Sequence, residues 1–159
     1  MTIAEQIIAY VETQLARIRL GQQITLHGGA VYTFRTDAGR LVDRNLEYTE
    51  HPDDMPSTVL YPGGNTSSVD SDPAPELGME NHTLEITVEG FIESDKAGTE
   101  GDWLKADISC ALKADLFWGG LIERLVTFNT ESAIQVGDKV FTIVKVGLTT
   151  LYTAPYGSE

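Results

Sequence analysis

Apolar and polar residues alternate along this chain with two different periods, and the first of them predicts a helix at the N-terminus. Large apolar residues recur there every three or four positions, as on one face of a helix: Ile3, Ile7, Ile8, Val11, Leu15 and Ile18. Thr2 and Glu5 have the spacing of a capping box, which satisfies two backbone amides of a first turn. Gly21 is a typical residue at which a helix stops. We therefore predict an amphipathic helix over residues 3–20.

The segment at residues 82–94 has a period of two, which is typical of a strand. One side of it is apolar and consists of Leu84, Ile86, Val88 and Ile92. The other side consists of Glu85, Thr87, Glu89 and Glu93 and also includes Phe91. Strict alternation of this kind predicts a strand with one face in the protein core and one acidic face in water.

A second helix and further strands complete the pattern. The helix follows Asp102 as its N-cap and carries an apolar stripe of Leu104, Ile108, Ala111, Leu112 and Leu116. Strands are predicted at residues 24–26, 31–35, 58–61, 121–128, 133–136 and 139–152. The order of helix, strands, helix and strands predicts an α+β fold. We expect a mixed, mainly antiparallel β-sheet with the two amphipathic helices packed on one face.

Residues 65–81 form the least regular stretch, rich in Ser, Asp, Pro and Gly. A loop of this length is uncommon in a compact domain and is usually functional or disordered. We expect a single domain over residues 1–159 with a long mobile loop at about 63–81, which a docking protein would order on binding. The candidate assembly residues in it are Asn65, Val69, Asp70, Asp72, Leu77 and Met79. A tolerated surface insertion explains the same composition equally well.

Composition and charge narrow the choice of function. The chain has 159 residues, of which 42% are hydrophobic, as in globular proteins. It has no apolar run of the roughly 20 residues that span a bilayer and no signal-peptide pattern, so no membrane partner is expected. The formal net charge of −13 disfavours ordinary nucleic-acid binding, because little positive charge is available to neutralise phosphates. Such acidity either keeps the protein soluble or forms a wall that repels nucleic acid.

No residue pattern predicts an active site. His27, His51 and His82 stand beside turn residues and are expected to be exposed to solvent. Cys110 lies near the second apolar stripe and is expected to be a small buried hydrophobe, not a nucleophile. We expect a protein that is not an enzyme and that has no catalytic residue, metal ion or cofactor.

The order of these segments resembles that of the tail terminator proteins of long, non-contractile-tailed bacteriophages. The likeness is carried by the N-terminal amphipathic helix, by the segment PSTVLYPGG (residues 56–64) before a long loop, and by the strand HTLEITVEGFIES (residues 82–94). The helix DWLKADISCALKADLF (residues 102–117) and the strand KVFTIVKVGLTTLY (residues 139–152) follow. The resemblance covers nearly the whole chain and rests on architecture, because the family has no short diagnostic motif.

The resemblance implies a structural virion protein. Terminators of this family form a ring, typically hexameric, on the head-proximal end of the finished tail tube, where they stop tube polymerisation and provide the head–tail joining surface. The implied partners are further copies of the chain, the tail tube protein and the head–tail connector proteins. DNA passes through the lumen without specific binding. The implied location is the virion tail, after assembly in the host cytoplasm.

The acidic face predicted at residues 82–94 suits such a ring. Glu85, Glu89 and Glu93 would line the lumen and repel the phosphates of passing DNA. Simple solvation of this face, or salt bridges to a neighbouring subunit, explains the same residues equally well.

The sequence is also compatible with two other functions. One is a different virion role, as a neck, head-closure or tail-tube component, although tube subunits usually contain less helix. The other is a small metal-binding module that uses Asp70, Asp72 and Glu76, although these carboxylates lack the spacing and the glycine of an EF-hand loop.

Overall fold

The computed structural model describes residues 1–44, 54–68, 77–94 and 98–159. Within them lie two α-helices, α1 (Ile3–Ala16) and α2 (Thr99–Lys113), and two 3-10 helices, Ala38–Arg40 and Trp118–Gly120. The strands are β1 (Gln23–Thr25), β2 (Val31–Thr33), β3 (Val42–Arg44), β4 (Ser57–Ser68), β5 (Met79–Glu93), β6 (Arg124–Val136) and β7 (Val140–Pro155). Several residues singled out from the sequence lie outside the described residues: His51, Val69, Asp70, Asp72 and Glu76.

Five of these strands form one sheet in the order β3-β4-β5-β7-β6. Neighbouring strands in it are antiparallel except β3 and β4, which run parallel, and β1 and β2 form a separate antiparallel pair. This arrangement confirms the predicted α+β fold with a mixed, mainly antiparallel sheet. The long strands β5 and β7 lie inside the sheet, and β6 lies at one edge.

Both helices pack on the same face of this sheet, as predicted. Their buried apolar residues form one hydrophobic core with even-numbered residues of β5 and β7, such as Ile86 and Val146. Gly90 of β5 lies beneath α2, where an added Cβ would come within 2.8 Å of the Ile108 side chain and 2.9 Å of the Leu104 side chain. The missing side chain therefore lets α2 approach the sheet closely.

Helix α1 begins as predicted but ends earlier. The Thr2 hydroxyl accepts a hydrogen bond from the Glu5 N–H, and the Glu5 carboxylate accepts one from the Thr2 N–H, so the capping box is present. The predicted end at residue 20 is wrong, because the helix stops at Ala16. Beyond that point the Gly39 N–H donates to the Ile18 carbonyl at 2.7 Å. A neighbouring segment thus satisfies a carbonyl group at the end of this helical region.

The long loop predicted at about 63–81 is shorter than expected. Strand β4 runs on to Ser68 and β5 begins at Met79, so residues 65–68 and 79–81 belong to strands. The Pro-Gly-Gly sequence at residues 62–64 does not end β4 either. The register shifts there by a bulge, and the ladder with β5 continues beyond it.

The predicted start of the second helix is also wrong. Helix α2 begins at Thr99, preceded by Gly98 in the left-handed conformation with φ +71°. Asp102 already lies inside the first turn, because its N–H donates to the Gly98 carbonyl. At the other end, Leu116 lies beyond the helix and is exposed, although the sequence placed it in the apolar stripe.

Strand β6 replaces the two short strands predicted at residues 121–128 and 133–136. The polar residues between them pair with β7, for example Asn129 with Gly147 and Glu131 with Lys145. An edge strand whose two faces both meet solvent has no apolar alternation to reveal it. Hydrophobic periodicity therefore could not detect the middle of this strand.

Candidate functional site on the open face and edge of the sheet

The face of the sheet opposite the helices is the first candidate site, and we call it the open face. It consists of the odd-numbered residues of β5 and β7 together with the residues paired to them on β4 and β6. The register aligns these residues in rows across the strands. One row places Lys145 between Glu89 and Glu131, and the next places Gly147 between Thr87 and Asn129.

The three glutamates singled out from the sequence all lie on the open face. Glu85 and Glu93 are exposed and Glu89 is half-buried. Successive members of this row are four residues apart, which corresponds to about 13 Å along a strand. The face also carries basic groups, since Lys139 Nζ lies 3.2 Å from Glu93 Oε1 and Lys145 is the cross-strand neighbour of Glu89. The open face is therefore acidic in part, and lysines neutralise some of its charge.

Part of the open face does not contact water, which differs from the sequence prediction. Phe91 is only 1% exposed, although it lies on the same side of β5 as the glutamates. Val59 of β4, a diagonal neighbour of Phe91, and Leu151 of β7 are buried as well. The alternation along β5 thus predicted the direction of the Phe91 side chain but not its burial.

The candidate residues of the predicted loop are separated in the structure. Asn65 lies in β4, where its Nδ2 donates to the Tyr152 hydroxyl at 2.9 Å. Met79 begins β5 and pairs with Pro155, whereas Leu77 is fully exposed. The other three candidates lie outside the described residues. Asn65 therefore has an internal contact, and Leu77 is the described candidate that is most accessible to a partner.

A surface that the sequence prediction missed lies along β6. This strand is exposed over most of its length, and the exposed fraction is 44% for Ile134 and 76% for Val136. A shallow depression of about 250 Å³ beside it is lined by Glu131, Ser132, Ala133, Ile143 and Lys145. One sequence signal could have indicated this surface: residues 124–136 carry little charge in a strongly acidic chain.

A buried polar cluster connects β5 and β7 with the C-terminal residue. His82 is buried, so its predicted exposure is wrong; its ring stacks on that of Tyr152 with 5.3 Å between the centroids, and its Nε2 lies 3.0 Å from Glu80 Oε1. Burial, followed by hydrogen bonding to Glu159, raises the pKa of Tyr152. The Glu159 carboxylate also accepts hydrogen bonds from two backbone N–H groups in the first turn of α1. These contacts hold the two ends of the described chain against the sheet.

A buried carboxylate in α2 was not predicted either. Asp107 is fully buried and accepts hydrogen bonds from the Tyr32 hydroxyl at 2.7 Å, the Thr36 N–H at 2.8 Å and the Thr36 hydroxyl at 2.6 Å. With the Arg35 N–H, these donors fix the segment after β2 to α2. Nearby, Cys110 is half-buried, and burial raises the pKa of its thiol. A raised pKa disfavours the reactive thiolate, so this cysteine is poorly suited to nucleophilic chemistry.

The remaining findings concern the exposure of His27, metal and membrane sites, and comparisons with known proteins. His27 is exposed, as predicted. Within residues 1–44, 54–68, 77–94 and 98–159, no group of three or more His, Cys, Asp and Glu side chains is arranged to hold a metal ion. In the same ranges, no helix combines the length and apolar character needed to cross a membrane. No protein-family model matches the chain, and no curated protein matches it. Among the described residues, the open face and β6 are the candidate interaction surfaces.

Proposed function

We propose that this chain is a structural virion protein of the tail terminator kind. It assembles with further copies of itself into a hexameric ring at the head-proximal end of the tail tube. There the ring stops the addition of tube subunits and provides the surface that joins the head connector. Its partners are the tail tube protein and the connector proteins, and the role requires no catalytic step.

The observation that carries this proposal is the row of glutamates on the open face. Glu85, Glu89 and Glu93 lie on one side of β5, whereas α1 and α2 both pack on the other side. In a ring with the helices outside, these carboxylates line the lumen. The order of helices and strands, which resembles that of tail terminators, supports the same assignment.

An acidic lumen helps DNA to pass because its phosphates are repelled from the wall. At physiological ionic strength the screening length is about 8 Å, so the repulsion acts at close range and prevents phosphates from adhering. Lys139 and Lys145 do not reverse this effect. Each lies next to a glutamate, which reduces the attraction of that lysine for a phosphate.

The first test is the assembly state of the purified chain. Light scattering over a concentration series, combined with negative-stain microscopy, is expected to show rings with a central hole. Tail tubes added in a second series are expected to carry one ring at one end. A chain that stays monomeric both alone and with tubes contradicts the proposal.

The second test addresses the lumen. Glu85→Lys changes the charge of the open face, and Asp102→Lys makes the same charge change on α2, where Asp102 is exposed. In particles assembled with each variant, Glu85→Lys is expected to slow DNA ejection and Asp102→Lys to leave it unchanged. Adding Glu89→Lys and Glu93→Lys is expected to enlarge the effect. Equal ejection rates for all these variants and the wild type would exclude the open face as the lumen wall.

A further inference from the structure

Strand β6 offers hydrogen-bonding groups along one whole side. It pairs with β7 from Arg124 to Val136, and in the described part of the chain no strand pairs with its other side. A sheet edge of this kind presents unpaired N–H and C=O groups that can pair with another extended chain. At 13 residues, this edge is about 43 Å long.

The backbone groups that point outward can be identified from the ladder. The Ser94 N–H donates to the Val140 carbonyl at 3.1 Å, so the backbone groups of Val140 point toward β5. Hydrogen-bonding direction alternates along an antiparallel strand, so those of Phe141 point toward β6 and meet its partner, Gln135. The same alternation along β6 directs odd-numbered residues such as Ala133 toward β7. The amides of Thr130, Ser132 and Ile134 therefore point away from the sheet.

This edge has few of the features that usually prevent pairing between molecules. Natural edge strands are commonly interrupted by lysine, proline or a bulge. Residues 124–136 contain neither lysine nor proline. The one register shift in β6 lies between Leu125 and Thr127, near the start of the strand, and the ladder is regular from there to Val136. About ten consecutive residues thus remain available for a regular ladder.

The charge distribution makes β6 the part of this acidic chain where a second copy meets the least repulsion. Two molecules with a formal net charge of −13 repel each other over most of their surfaces. Strand β6 carries one acidic residue, Glu131, and one basic residue, Arg124, so its own formal charge is zero. From Ser132 to Val136 it has no charged residue, and Ile134 and Val136 expose apolar surface there. A second copy that presents a strand of similarly low charge can approach this edge with little electrostatic cost.

We propose that the outer edge of β6 pairs, antiparallel, with an extended strand of a second copy of this chain. The pairing adds a strand to the sheet and uses the outward amides of Thr130, Ser132 and Ile134. This pairing provides the subunit contact that the proposed ring needs, and in that respect it rests on the proposed function. A ring contact joins two different surfaces, and β6 is one of them.

The test compares two substitutions at one position of the full-length chain. Ser132→Pro removes an outward N–H and places the proline ring where the added strand would lie, whereas Ser132→Ala removes the same hydroxyl and keeps the N–H. Ser132→Pro is expected to raise the concentration at half-association about tenfold or more, and Ser132→Ala to leave it near the wild-type value. Circular dichroism and urea unfolding check that both variants fold. If Ser132→Pro does not fold, Thr130→Pro takes its place.

Amide hydrogen exchange gives an independent measurement on the wild-type chain. The amides of Thr130, Ser132 and Ile134 are expected to exchange rapidly at low concentration and to become protected on association. The amides of Glu131 and Ala133, which point toward β7, are expected to be protected at both concentrations. Association without new protection at Thr130, Ser132 and Ile134 overturns the inference, as does a chain that never associates.

The outcomes separate this inference from the proposed function. Rings that form equally well from Ser132→Pro overturn the role of β6 and leave the ring intact. A species that is not a ring, but that Ser132→Pro abolishes, supports the role of β6 and contradicts the terminator. Protection of the outward amides only when a different protein is added overturns the assignment to a second copy.

Discussion

The two faces of the same sheet differ in what their residues do. On the helix-covered face, Ile86 and Val88 of β5 are buried in the core with the helices. On the open face, their chain neighbours Glu85 and Thr87 remain accessible to solvent. Adjacent residues of one strand thus belong to different environments, because successive side chains point to opposite faces.

This difference separates stability from function along a single strand. Burial of apolar side chains against α1 and α2 stabilises the fold, so substitutions on that face are expected to lower the free energy of unfolding. The open face contributes less apolar burial, apart from the patch around Phe91, and presents the charges of Glu85, Glu89 and Glu93. Substitutions of those glutamates are expected to alter assembly or DNA passage while the fold persists.

The largest expected effect comes from a matched pair on β5. Ile86→Ala removes a side chain that is 1% exposed and leaves a cavity under the helices, and we expect the free energy of unfolding to fall by about 4 kcal/mol. Thr87→Ala, one residue later on the open face, is expected to lower it by less than about 1 kcal/mol. Urea unfolding followed by circular dichroism measures both. Similar losses for the two variants would show that a partner or another segment covers the open face as tightly as the helices cover theirs.

A smaller effect is expected from the polar contact inside the helix layer. Asp107→Ala leaves the Thr36 hydroxyl and N–H without their acceptor, and it also removes a carboxylate whose burial is itself unfavourable. These terms oppose each other, and we expect a net loss of about 2 kcal/mol in the free energy of unfolding.

The control for this variant is Asp102→Asn, on an exposed position of the same helix. We expect it to cost no more than about 0.5 kcal/mol, because it removes one exposed charge near the helix N-terminus. If Asp107→Ala unfolds at the same urea concentration as the wild type, the buried hydrogen bonds contribute nothing to the attachment of the Thr36 segment.

Sequence patterns predicted individual elements correctly where the local signal matched the environment of those residues in the folded chain. The capping box of Thr2 and Glu5 fixed the start of α1, and the alternation at residues 82–94 fixed the faces of β5. Ends of elements were predicted less well because distant segments decide them. The N–H of Gly39, which meets the Ile18 carbonyl near the end of α1, is an example, since it comes from 21 positions further along the chain.

The candidate surfaces were predictable only in part, for two physical reasons. The glutamates of the open face followed from periodicity, whereas the lysines beside them depend on the pairing of β5 with β7, which periodicity does not reveal. The polar residues at 65–68 belong to a strand because β5 supplies a partner ladder, although their composition is typical of a loop. His82 is buried for a similar reason, since Tyr152 from β7 covers its ring.

The smallest expected effect concerns an exposed charge pair at the border of the helix layer. The hydrogen bond from Arg19 holds the pKa of Asp37 below its usual value, and the Leu20 N–H lowers it further.

Because this pKa is lower in the folded chain than in the unfolded chain, the pair stabilises the fold above about pH 4 and loses its effect as the pH falls through the folded-state pKa. Arg19 is exposed and Asp37 is partly exposed, so we expect Asp37→Asn to cost only about 0.3 kcal/mol at pH 7 and less at pH 2. Urea unfolding of wild type and variant at both pH values measures the difference, and added salt is expected to reduce it at pH 7. A loss of several kcal/mol at pH 7 would mean that this border, and not only the buried helix-covered face, determines the stability of the fold.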